Sequence, residues 1–189
     1  MLPTKEQAIV LLDEAYKRNP GPWKAHSIVV ANCAYAIGKQ CDNIDEEKAY
    51  IIGLLHDIGR REGVTYLAHV IDGYHYLMNL GYDEAARICI THSFAEKDIN
   101  TYIGYQDVTE KDLQEIAALI NKYEYDDYDK LVQLCDSIAL PDGPTKIEVR
   151  MNDVKERYGY YPLSKWNKHI EIKQYFEEKS GLNIDCLET

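Results

Sequence analysis

The chain has 189 residues, of which 46% are hydrophobic and 28% charged, a length and balance that suit one folded domain and exclude a disordered chain. Its formal net charge of −11 produces a surface that repels polyanions, which argues against general nucleic-acid binding but leaves room for a small anionic substrate beside a bound cation. No apolar run is long enough to span a bilayer, Met1 to Asn19 lacks the apolar stretch of a signal peptide, and five cysteines with no CxxC pair read as small buried hydrophobes, so a soluble, cytoplasmic protein with no membrane association is expected.

Helical patterns dominate the chain. Thr4 and Gln7 have capping-box spacing, with Ile9, Leu12 and Tyr16 in helical register behind them. Asn19-Pro20-Gly21-Pro22 ends that helix. A second runs from about Trp23 to Gln40, with His26, Val30, Cys33 and Ile37 on one stripe. Asp45 caps a third that ends near Gly59, and Arg60 to Val64 forms a loop. A fourth opens close to His69 and stops near Gly81, and Asp83 caps a fifth that runs through His92. The polar segment from Ala95 to Val108 is expected to be a loop over one face. Helices follow over Glu110 to Lys122, Lys130 to Leu140, Ile147 to Tyr158 and Ser164 to Lys179, with a clear break at Pro141-Asp142-Gly143-Pro144. No segment alternates as a strand does. The prediction is an all-α, single-domain bundle.

Ionisable residues fall inside the apolar runs. IIGLLHDIG carries His56 and Asp57, ARICITHSF carries His92, LVQLCDSIAL carries Asp136, and His26 shares the stripe of Val30 and Cys33. Taken singly, each is consistent with a buried, hydrogen-bonded core side chain. Burying a carboxylate or an imidazole is costly, however, and several helices repeat that choice with no Lys or Arg beside the acids. Coordination of a divalent metal explains all of them together.

The ordered set of His26, the His56-Asp57 doublet in GLLHDIGR and Asp136 in LCDSIAL resembles the HD superfamily. His69, with Gly73 four residues on, and His92 resemble the additional histidines of its two-metal subgroup. The resemblance covers about residues 23–140 and implies a helical bundle with the metals in a central cleft. It implies that His26, His56, Asp57 and Asp136 hold a first divalent ion, that His69 and His92 hold a second, and that Asp57 bridges them. The activity it implies is hydrolysis of a phosphate ester or phosphoanhydride, on a nucleotide or another small phosphorylated substrate. Iron or manganese suits such a donor set, with zinc, nickel and magnesium as alternatives. Two other activities fit the same ligands: a di-iron oxygenase and a non-catalytic nucleotide sensor.

Arg60 and Arg61, just after the doublet, are candidates to clamp phosphate, and equally simple surface cations; Lys97 is a further candidate. Tyr66, Tyr74 and Tyr76 flank the site, where each could stack a base or simply pack. His75 reads as a surface neighbour and His169, in KWNKHIEIK, as solvated. The extension over about 145–180 has eight basic and six acidic residues between Lys146 and Lys179. It is expected to close over the core or to form a homodimer surface, with Lys146, Arg150 or Lys155 reaching the cleft.

Overall fold

Side-chain caps fix where the helices start. In the computed structural model, which describes residues 1–188, the Gln7 amide donates to Thr4 Oγ1 and the Thr4 amide donates to Gln7 Oε1, the expected capping box ahead of α1 (Lys5–Arg18). α2 (Trp23–Gly38) follows the Pro-Gly-Pro break. Asp45 caps α3 (Glu46–Leu55) by accepting from the Lys48 amide at 2.9 Å. α4 (Ala68–Asn79) and α5 (Asp83–Thr91) come next; Asp83 is the first helical residue of α5, where its charge suits the helix dipole, and not the cap. α6 (Glu110–Lys122) and α8 (Ile147–Tyr158) have the expected bounds, and α9 (Leu163–Ser180) is longer than expected by one residue at each end. The fold is all-α.

Two helices depart further from the sequence reading, both beside the candidate ligands. α7 (Asp127–Asp136) starts and stops earlier than expected. Asp126 and Asp129 form a capping box that starts it. At its end Ala139–Leu140 (β1) pairs antiparallel with Gly143–Pro144 (β2) across the Pro141-Asp142 turn. Two residues a side are too few to show a period. α3 stops at Leu55 and does not reach Gly59: His56 closes the helix, Asp57 leaves helical geometry at φ −104° and ψ 15°, and a tight 3-10 turn runs over Ile58–Glu62.

The apolar faces form two clusters. Leu12, Leu54, Leu67, Leu77, Ile90, Phe94 and Ile116 join α1, α3, α4, α5 and α6. Val30, Ile37, Leu131, Leu134, Met151, Ile172 and Phe176 join α2, α7, α8 and α9. α3 and α5 send residues into both, Leu54 against Ile52 and Ile90 against Ile88. These two central helices are the ones that end in His56-Asp57 and His92.

Candidate metal centre

Three imidazoles are locked by their own helices. His56 Nδ1 lies 2.7 Å from the Gly53 carbonyl, His92 Nδ1 lies 3.0 Å from the Ile88 carbonyl, and His69 Nδ1 bonds the Tyr66 carbonyl. A carbonyl only accepts, so each Nδ1 carries the hydrogen and each Nε2 presents a lone pair. Burial holds His56 below its ordinary pKa, against the pull of Asp57 and Asp136, and takes His92 down to about 3. His56 and His92 are therefore neutral at pH 7, the form that binds metal.

The lone pairs converge. His69 Nε2 lies 3.4 Å from His92 Nε2 and 3.1 Å from Asp57 Oδ1, and His92 Nε2 is 3.8 Å from that same oxygen. His56 Nε2 lies 3.9 Å from Asp57 Oδ2 and 3.8 Å from Asp136 Oδ1, while His26 Nε2 is 2.9 Å from Asp136 Oδ1. Two triads, His26–His56–Asp57 and Asp57–His69–His92, each bring their donor atoms within 4.8 Å of one another and share Asp57. His56 Nε2 and Asp57 Oδ1 are buried with no hydrogen-bond partner. Electron-pair donors facing one another without a hydrogen between them repel unless a cation lies among them, so this donor set fits divalent metal.

Charge completes the arrangement. Burial alone would raise the Asp57 carboxyl, but Arg60, His69 and His56 hold it well below the usual carboxylate range. Asp136 is likewise depressed, by its bond to His26 and the field of His56. The side chains of His26 and Asp136 are 12% and 32% exposed, so this edge opens to the cleft, whereas His56, His69 and His92 lie beneath. The cleft has a volume of about 650 Å³. Behind the ligands, Gln133 Nε2 donates to the Thr91 carbonyl at 2.9 Å and Thr91 Oγ1 donates to Asp129 at 2.7 Å, fixing α5 against α7 next to His92 and Asp136.

The other expected residues divide. Arg60 lines the cleft, its Nε 2.5 Å from Asp57 Oδ2 and its Nη1 donating to the Thr65 carbonyl. Arg61 is not part of the cleft wall: its guanidinium lies 3.8 Å over the Tyr76 ring. Lys97 points to Glu124 and Tyr125, also outside the cleft. His75 pairs with Glu115 at the surface. Tyr66 lines the cleft and Tyr74 packs in the core. Of the extension's cations expected at the cleft, Arg150 lines it, and Lys146 and Lys155 do not.

His169 corrects the sequence reading. It is buried at 5% exposure and lines the cleft, because α9 turns that face inward. Lys165, one turn before it, is buried against the same cleft and was not singled out from the sequence. The only signal was their four-residue spacing, in step with the apolar Ile172 and Phe176. Ser93, whose hydroxyl lies 3.0 Å from His92 Nε2, was also missed.

No helix among the described residues is long and apolar enough to cross a membrane. No curated protein and no solved structure matches the chain. The family model described as the HD domain matches residues 24–140, from just before His26 to just beyond Asp136. That span covers more than half of the chain and takes in every residue of the two triads, and the chain belongs to the HD domain family.

Proposed function

We propose that the protein is a metal-dependent phosphohydrolase acting on a small phosphorylated molecule. HD domains are in general metal-dependent phosphohydrolases, and one observation carries the reading here: two buried donor triads that share Asp57, with Asp57 Oδ1 and His56 Nε2 unpartnered. His26, His56, Asp57 and Asp136 would hold one divalent ion and His69 and His92 a second, with Asp57 common to both. Four imidazoles and two carboxylates favour iron or manganese over magnesium. Ions bound there supply positive charge that acidifies water and draws electron density from a phosphoryl group.

The chain's own groups supply orientation. Backbone carbonyls of Gly53, Tyr66 and Ile88 aim three Nε2 atoms inward. Arg60, 30% exposed at the cleft, holds the Asp57 carboxylate in place and has further guanidinium donors for a phosphoryl oxygen. The test is metal content and phosphate release on the same protein, purified without chelator. About two ions per chain, reduced in His69→Ala and His92→Ala, with phosphate release from a panel of esters and anhydrides, is the expected result. Bound iron with oxygen uptake and no phosphate release would replace the reading with the oxygenase.

A further inference from the structure

α9 carries Lys165 and His169 one turn apart, on a face that lines the cleft opposite no function yet described. His169 Nδ1 is buried without a hydrogen-bond partner. Burial pushes that ring down to about 3, so it offers a neutral imidazole at pH 7. Lys165 is 8% exposed, and its Nζ donates to the carbonyls of Ser93 at 3.0 Å and Thr101 at 3.1 Å. No carboxylate among the described residues reaches it: Asp136 and Glu96 act on it only from beyond ion-pair distance. A buried ammonium held by carbonyls alone, next to an orphaned imidazole nitrogen, is costly unless an anion completes the site.

α8 extends the same wall. Arg150 Nη1 and Arg157 Nη2 both lie 2.8 Å from a single carboxylate oxygen of Asp153, and Arg150 Nε is buried without a partner. Lys165, Arg150 and Arg157 against Asp153 leave this side of the cleft positive in a chain of net charge −11. The cleft's volume of about 650 Å³ is that of a site for a ligand larger than one phosphate.

We propose that Lys165, His169 and Arg150 form a second subsite in the cleft for a second anionic group of the substrate, which is thus a phosphoester that also bears a phosphate or a carboxylate. The subsite rests on the phosphohydrolase reading for its first group, and its test separates the two. It compares kcat/KM, on the manganese-loaded full chain, within two pairs of esters: adenosine 5′-monophosphate with adenosine 3′,5′-bisphosphate, and glycerol 3-phosphate with 3-phosphoglycerate. The more anionic member of at least one pair is expected to be preferred by about tenfold, the worth of one charge-assisted hydrogen bond. In Lys165→Gln and Arg150→Gln that preference falls towards unity, chiefly through KM. Should Lys165→Gln fail to fold, Arg150→Gln on the rim of α8 carries the test alone.

Turnover with no preference in either pair, or an equal loss for both members in the variants, overturns the subsite and leaves the hydrolase reading standing. Calorimetric binding of adenosine 3′,5′-bisphosphate supplies the converse. Binding weakened in Arg150→Gln, with no ester turned over, keeps the subsite and removes the hydrolase. Neither binding nor turnover overturns both.

Discussion

At the candidate metal centre the deciding feature is which atoms lack a hydrogen. His56, His69 and His92 spend their Nδ1 hydrogens on carbonyls one turn back, so Asp57 faces lone pairs on several sides. Asp57→Ala is expected to abolish phosphate release and remove most bound metal, because it takes a ligand from both triads; normal metal content in that variant, by elemental analysis, would contradict a shared carboxylate. His169 gives a pH signature of its own. Its folded pKa of about 3 lies below its ordinary value of 6.5, so only the unfolded chain takes up its proton as pH falls from 6.5 to 3. Its contribution to stability is therefore complete above pH 6.5 and is lost on acidification, by up to roughly 1.4 kcal/mol per pH unit. His169→Gln should flatten the acid limb of stability measured by urea unfolding across that window, and an unaltered slope would show that the ring is not buried neutral.

Between elements, one close approach sets the position of His69. A Cβ on Gly59 would stand 1.9 Å from the His69 carbonyl oxygen and 2.5 Å from the Gly73 amide nitrogen, both backbone atoms that cannot swing aside. The turn after Asp57 thus touches the first turns of α4 directly, and this contact brings His69 to Asp57. Gly59→Ala is expected to cost about 3 kcal/mol or more, at the upper end for overpacking, and to lower metal content towards one ion per chain. Thermal unfolding together with elemental analysis checks it, and wild-type values on both would show that the two backbones can separate freely. The glycines of HDIG and of His69-x-x-x-Gly73 were visible in the sequence as motif positions; that they meet each other was not, because the contact joins residues from different elements.

For the whole molecule the extension matters as much as the matched region. Ile147, Met151, Ile172, Phe176 and Ile184 lie in one cluster with Val30, Ile37, Leu131 and Leu134. Lys179 and Tyr175 of α9 bond Asp127 at the start of α7. Phe176→Ala, at a fully buried position, should destabilise by about 3–5 kcal/mol. A chain ending after Leu140 would expose this cluster and is expected to be readily cleaved by protease; a cooperative thermal transition from it would show that residues 24–140 fold alone.

Pattern along the chain was enough for the helix content, the capping box at Thr4, the cap at Asp45, and the His and Asp positions that the fold gathers into two triads. Helical period, cap chemistry and the cost of a lone buried charge are local properties, written in neighbouring residues. Arg61 over Tyr76, the early end of α3 and the inward face of Lys165 and His169 are of another kind. They depend on how far a helix runs before a turn breaks it and on which side of α9 meets α7 and the cleft. A charged segment such as KWNKHIEIK reads as solvated until another part of the chain covers it, and the burial that gives Lys165 and His169 their chemistry comes from residues far away in sequence.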